Sequence, residues 1–363
     1  MPLALAGGEQ GTLVSEAGPA LLPFFTTRDA CALRLVCREL RAAVREHPWG
    51  DRGTVIKGSI AAWRACFPRA RCANVREWDR TGGETRAAPL VDADFVHFEG
   101  LRELRLKGCR GITDAAFVHL RGIHTLDMGH CYQAGITDAA FAHLRGIHTL
   151  DMSYCKQASI TDAAFAHLRG IHTLCIGLCT QITDAAFVHL RGINQLNMLM
   201  CNQEGITDNA FVHLRGIHFL DMSGCNQDGI TDAAFVHLTG IGVLCMSSCG
   251  QAGITDAAFS HLRGIRGLAM SDCRQAGITD AAFSHLRGIG VLYISGCSQA
   301  GITDAAFAHL RGIHALFMNN CRQVGITKDA FAHLAGICQL SMEGCSPACI
   351  SAARALELPV TED

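Results

Sequence analysis

An excess of charge of either sign is missing from this 363-residue chain: 31 basic side chains stand against 33 acidic ones, a formal charge of −2 with histidine neutral. Gripping a phosphate backbone takes clustered cations, so the composition speaks against a nucleic-acid partner. Long apolar runs are missing too. No segment reaches the roughly 18 uninterrupted apolar residues of a membrane span, and the opening MPLALAGGEQ has no basic stretch ahead of a long apolar one, the mark of an export signal. The expectation is a soluble cytoplasmic or nuclear protein without membrane association. No glycine-rich phosphate loop follows a strand, and no Ser, His and Asp or Cys and His set stands apart from its surroundings. We therefore assign no catalytic residue, no metal ligand and no cofactor. Hydrophobic residues are 49% of the chain and charged ones 18%, which excludes wholesale disorder and supplies core for more than one domain.

The 19 cysteines would suggest a disulfide scaffold in a short exported chain. Their placement says otherwise. Eleven of them, Cys109, Cys131, Cys155, Cys179, Cys201 and onward to Cys345, recur at steps of 22 or 24 residues. The triplet Ile-Thr-Asp keeps the same rhythm from Ile112 to Ile302, with Ile326-Thr327-Lys328 as a tenth copy and Leu90-Val91-Asp92, running into Phe95 and Leu101, as a degenerate earlier one. Residues 90–345 therefore form a repeat array.

One unit, GITDAAFAHLRGIHTLDMSYC at 135–155, divides in two. Thr137 or Asp138 can cap a helix, Ala140, Phe141 and Leu144 make its apolar stripe, and Arg145 and Gly146 end it, which predicts two or three helical turns. Leu150 and Met152 then alternate inward from a short strand. Ile147, Leu150, Met152 and Cys155 fit L-x-x-L-x-L-x-x-C, which resembles the cysteine-containing class of leucine-rich repeats. The resemblance implies an α/β solenoid with a parallel sheet on the concave face and helices on the convex face. Stacking buries what one unit cannot, and ten phenylalanines, Phe117 to Phe331, would run through the core.

Residues 12–50 lack the repeat. From Asp29 the spacing predicts one helix with Leu33, Val36, Leu40 and Val44 on a single face, after a second apolar cluster at Leu21, Leu22, Phe24 and Phe25. Asp29, Leu33, Val36, Cys37, Arg38 and Trp49 resemble an F-box, although Leu13-Val14-Ser15-Glu16 replaces its opening Leu-Pro-x-Glu and Gly18, Pro19 and Pro23 interrupt the first helix. The resemblance implies a Skp-type adaptor bound through Leu22, Phe25, Leu33, Leu35, Val36 and Leu40, with the repeats choosing a target for a cullin-RING ubiquitin ligase. The alternative is a stand-alone repeat scaffold with a helical cap. Residues 51–89 read as linker and N-terminal solenoid cap: a helix ends near Cys66 before Phe67-Pro68, Val75 and Trp78 belong to a first irregular strand, and Gly82-Gly83 is a loop. Residues 346–363 read as a C-terminal cap and tail.

The helical half scarcely changes between copies, so recognition belongs to the strand half. Between the two inward positions the residue runs Arg105, Asp127, Asp151, Cys175, Asn197, Asp221, Cys245, Ala269, Tyr293, Phe317, Ser341. Two residues earlier come Phe219, Val243, Val291 and Ala315, and together these predict an apolar patch around Tyr293 and Phe317. Eleven strands would extend about 48 Å, a span suited to a protein with an apolar anchor and a basic portion facing Asp127 and Asp151. Drift among duplicated repeats is the competing reading.

Histidine recurs at one helical position from His119 to His333 and at five strand starts, His124, His148, His172, His218 and His314. One ligand per repeat makes a line, whereas zinc needs convergence, so the row reads as a ladder sensitive to mild acid. The cysteines read as small buried donors, and the glutamines two residues after them, Gln133 to Gln323, as bonds between the turns of successive repeats.

Overall fold

The computed structural model describes residues 21–75 and 89–361, in two compact units, one ending at Asp151 and the other beginning at Met152. Residues 12–20, with Leu13 to Glu16, and also Trp78 and Gly82-Gly83, lie outside the described residues.

The first unit opens with a 3-10 turn, Leu22–Phe24, and three helices: α1 (Thr27–Leu33), α2 (Arg38–Glu46) and α3 (Ile60–Cys66). The expected single helix from Asp29 is corrected at both ends. Thr26 is the N-cap: its hydroxyl accepts from the Asp29 N–H while the Asp29 carboxylate accepts from the Thr26 N–H, a reciprocal pair that starts the helix at Thr27, two residues earlier. The chain then leaves the helix through tight turn bonds from the N–H groups of Leu35 and Val36 to the carbonyls of Ala32 and Leu33. It restarts after Cys37, whose Sγ accepts from the Leu40 N–H. Leu40 and Val44 consequently enter the core, Leu33 is half-buried, and Val36 is exposed on the connecting turn.

Trp49 is buried, donates through Nε1 to the Val44 carbonyl at 2.7 Å and meets Phe67 edge-on at 5.7 Å. Asp51 accepts from Thr27, Gly53 and Thr54. Burial alone would raise its pKa, but these bonds outweigh it and hold the carboxyl at about 2. Helix α3 starts at the Ser59 cap and ends at Cys66 before Phe67-Pro68, as expected. Four parallel strands follow, β1 (Cys72–Asn74), β2 (Glu103–Arg105), β3 (Thr125–Asp127) and β4 (Thr149–Asp151), with Ala73, Leu104, Leu126 and Leu150 in register.

The second unit repeats one coil. Its strands are β5 (Thr173–Cys175), β6 (Gln195–Asn197), β7 (Phe219–Asp221), β8 (Val243–Cys245), β9 (Gly267–Ala269), β10 (Val291–Tyr293), β11 (Ala315–Phe317), β12 (Gln339–Ser341) and β13 (Val360–Thr361). All pair in parallel, with a leucine in register at the centre of β5 to β12. The helical stretch is shorter than expected: Asp256–Phe259 is four residues long, and Gly264, at φ +81°, turns the chain toward the strand. Phe259 and its equivalents are fully buried.

Such short helices are not self-sufficient. Their ends are held from the neighbouring coil by an arrangement that helical spacing does not reveal. The Asp256 carboxylate, at its helix N-terminus, accepts from the Thr279 N–H at 2.7 Å, the Thr279 hydroxyl at 2.6 Å and the Ala282 N–H at 3.1 Å of the next coil. Thr279 in turn caps its own helix by accepting from the Ala281 N–H. The paired bonds recur from Asp162 to Thr183 and on to Asp304 and Thr327, and in the first unit from Asp92 to Thr113 and Asp114 to Thr137. Gly277 permits the approach, since a Cβ there would lie 2.9 Å from Thr255 Cγ2. Where Lys328 replaces the aspartate the row ends, and the helix Pro347–Ala355 packs there.

The cysteine row behaves as expected, and the glutamine row does so only in its earlier copies, since the side-chain amides of Gln275, Gln299 and Gln323 are buried without a hydrogen-bond partner. Cys273 Sγ–H donates to the Met246 carbonyl of the preceding coil at 3.0 Å, and burial pushes this thiol up to about 12. Gln227 and Gln251 donate to the carbonyls of Cys201 and Cys225.

Removing one aspartate tests the ladder. Asp256→Ala strips three charge-assisted bonds from Thr279 and Ala282, and we expect a loss of about 2 kcal/mol of stability, read from the urea midpoint. An unchanged midpoint would deny the ladder a supporting role.

Candidate functional site

The variable side chains lie side by side on the outward face of each sheet. In the first unit Arg105, Asp127 and Asp151 are in register. Asp127 accepts from the Gly129 N–H at 3.1 Å, and burial, with Asp151 adjacent, raises its pKa above the ordinary carboxylate value. Two neighbouring carboxylates in a partly desolvated position favour a cation. At the strand starts His124 and His148 stack at 4.6 Å, each with Nδ1 near the following threonine hydroxyl.

In the second unit Asn197 donates to Asp221 at 3.1 Å, and each also accepts from the N–H two residues ahead, Leu199 or Ser223. Burial, aided by Asp221, pushes the Cys245 thiol up to about 11. Phe219 and Val243 are half-buried neighbours, as is Val291. Tyr293 is 40% exposed and lies flat against Phe317, with ring centroids 4.3 Å apart and planes at 6°. Ala315 is buried. The apolar positions thus form two groups, Phe219 with Val243 and Val291 with Tyr293 and Phe317, separated by the small residues Gly267 and Ala269.

No protein-family model matches the chain, and no curated protein matches it in sequence. Solved structures match its shape. A chain of the Toll–Spatzle complex from Drosophila aligns with a TM-score of 0.52 and 13% identity over 78% of this chain and 49% of that one. An internalin from Listeria monocytogenes aligns at 0.50 and 14% over 86% and 78%. This chain therefore spans about half the length of its Toll–Spatzle neighbour. The fold is a leucine-rich-repeat solenoid.

Two features of these repeats escape the sequence reading. The His218 ring lies across Gly242, where a Cβ would come within 2.3 Å of it, and its Nε2 meets the Arg266 guanidinium at 2.9 Å. The signal is glycine at 242 where an earlier copy has His218. At the strand exits Tyr154, Leu178 and Met200 hold left-handed backbone with φ of 65°, 62° and 55°, at a position that other repeats give to Gly224, Gly296 or Gly344. Such strain places side chains outward at a cost of about 1 kcal/mol or more, and Met200 is 47% exposed.

The adaptor candidates divide. Leu22 and Leu40 are interior and Leu33 is half-buried, whereas Phe25, Leu35 and Val36 face outward at 38%, 72% and 63% exposure. Beside them Arg34, Leu35, Arg41, Arg45, Ala65 and Cys66 line a cleft of about 290 Å³. Among the described residues no cluster of three or more His, Cys, Asp or Glu side chains is placed to hold a metal, and no helix is long and apolar enough to cross a membrane.

Seven of the helical histidines, among them His189, His213 and His237, are paired with arginines, whereas His119 meets Glu99 at 2.7 Å. Arg191 Nε donates to His213 Nδ1 and Arg215 Nε to His237 Nδ1, both at 3.3 Å. Such a bond needs the neutral imidazole. Burial first, and the facing arginines next, lower the pKa of His189, His213 and His237, although Asp184 and Asp208 oppose this at His213 and His237. The sign follows: the folded state resists protonation, so stability is intact above the unfolded histidine value and falls as pH drops through the lower folded one. We expect a lower melting temperature at about pH 5.5 than at about pH 7.5, on either side of the histidine reference. An equal melting temperature at the two pH values would contradict the neutral ladder.

Proposed function

We propose that this chain is a target-binding receptor without catalysis of its own. The outward sheet face of its repeats holds a protein, and its N-terminal helices dock a Skp-type adaptor, presenting the target to a cullin-RING ubiquitin ligase. The observation that carries target binding is the flat Tyr293–Phe317 pair, with Tyr293 exposed and Phe317 half-buried, on a strand face otherwise built over a uniform interior. Exposed apolar groups of this size commonly mark contact sites. The Toll–Spatzle complex supports a macromolecular partner for this fold. The acidic pair Asp127 and Asp151 supports a basic portion in the target. Docking of the adaptor rests on Leu35 and Val36, both exposed on the turn between α1 and α2. The mechanism is proximity: holding the target raises its effective concentration at the transferring enzyme. We place the adaptor segment at residues 12–50, the linker and first cap at 51–89, the repeats at 90–345 and the closing cap at 346–363.

A second reading, the stand-alone scaffold, is favoured by one observation. The N-terminal segment is bonded to the first coil through Arg64 to the Glu99 carbonyl and through Arg52 to Glu103, as a cap would be. One experiment separates them. The full chain should capture a Skp-type adaptor and lose it with Leu35→Asp and Val36→Asp, at unchanged circular dichroism. Absence of capture by the intact protein selects the scaffold. In parallel, Tyr293→Ala with Phe317→Ala should abolish recovery of targets that the unaltered chain retains; recovery undiminished by both changes would remove the strand face from recognition.

A further inference from the structure

The interruption in the apolar face has a shape. On β9 both outward residues are small, Gly267 and Ala269, whereas the flanking strands carry Val243 and Cys245 on one side and Val291 and Tyr293 on the other. Strands lie about 4.8 Å apart, so the walls stand about 9.6 Å from each other, which leaves between them the thickness of one planar ring. Phe317 and Tyr293 are already stacked at 4.3 Å and 6°. Continued by one more interval of that size, the stack arrives over Ala269.

Charge on the same face is one-sided. Among the outward strand positions of the second unit Asp221 is the one charged residue, and no lysine or arginine accompanies it there. Arg266, at the start of β9, is turned to His218. Asp221 lies in register with Cys245 and Ala269, two strands from the notch. Its carboxylate accepts from Ser223 and Asn197, which leaves lone pairs for a further donor.

We propose that this notch is the specificity pocket for the target. It takes one aromatic side chain, stacked on Tyr293 and backed by Cys245, from a peptide that also places a cation at Asp221. A peptide lying across the strands in the polyproline II conformation, with a rise of about 3.1 Å per residue and every third side chain on the same face, covers the roughly 9.6 Å between these points in three residues. The recognised element is therefore an aromatic and a basic residue separated by two others, in one chain direction. The inference rests on the strand face being the binding surface.

The test uses the full chain and synthetic glycine and serine nonapeptides, each carrying one Phe and one Arg at separations of one to five residues and in both orders, titrated by fluorescence anisotropy. The expected result is tightest binding at a separation of three in one order. That peptide should weaken about tenfold or more with Ala269→Leu, which fills the notch from the outward face. Asp221→Lys should reverse the preference from Arg to Glu at the basic position. Unchanged melting temperatures show that both variants fold. Affinity independent of separation, or no binding of any peptide, overturns the notch. If binding survives Ala269→Leu but is lost with Phe317→Ala, the strand face binds and the notch is wrong; if it survives both, the reading of the face fails as well.

Discussion

A four-residue helix in water is unstable because nucleation fixes several dihedrals for few hydrogen bonds. Eight of the described coils contain one, and in each the N–H and the hydroxyl of the capping threonine are both taken by a carboxylate of the preceding coil. This bond pair links local structure to stacking: the side chain that opens one helix holds the cap of the next. It also explains the tolerance of an irregular step. Between Ile160 and Ile182 the period shortens to 22 residues, yet Asp162 holds Thr183 at 2.8 and 2.5 Å, as close as elsewhere. The two missing residues fall in the turn between glutamine and isoleucine, where Gln157-Ala158-Ser159-Ile160 becomes Gln181-Ile182, so the bonded positions keep their register.

That constraint separates the coil into residues that are committed and residues that are free. Leucine, phenylalanine, cysteine, threonine and aspartate, and glutamine in the earlier copies, pack on or bond to the adjacent coil, so changing them affects stacking before anything else. The outward strand positions are less bound, but not equally. Asp127, Asn197 and Asp221 each accept from an N–H two residues ahead, a turn-forming role that would keep a polar residue there without a ligand. Tyr293 and Phe317 have no such employment, and exposed rings are unfavourable to keep in water. The aromatic pair is therefore stronger evidence for recognition than the acidic positions.

The coil was legible in the sequence because each of its parts recurs: the cap, the buried stripe, the strand alternation and the register of the variable column all follow from periods of 22 or 24. Events that occur once were not. Leu33, Val36, Leu40 and Val44 satisfy the spacing of one helix, and the same residues serve two helices when turn bonds at Leu35 and Val36 and a thiol cap at Cys37 intervene. Side-chain spacing records which residues share a face, not whether the backbone between them is continuous. The aspartate ladder was hidden for another reason. Asp at the first helical position is sufficiently explained by the helix dipole, and only three-dimensional stacking reveals its bond to the next threonine.

The break between α1 and α2 bears on the choice between adaptor and cap. A cap must cover the first coil, and Trp49, Trp63 and Phe67 do so while being nearly or fully enclosed themselves. Had the helix run on unbroken, Leu33 and Val36 would share the buried stripe of Leu40 and Val44, and capping would account for all four. Leaving the helix at Arg34 instead turns Leu35 and Val36 out to solvent, next to a cleft lined by Arg34, Arg41 and Arg45. Capping gains nothing from that rearrangement, since it removes apolar area from the interior. A partner that buries the turn recovers the area, and this makes docking the reading that accounts for the exposed residues as well as the buried ones.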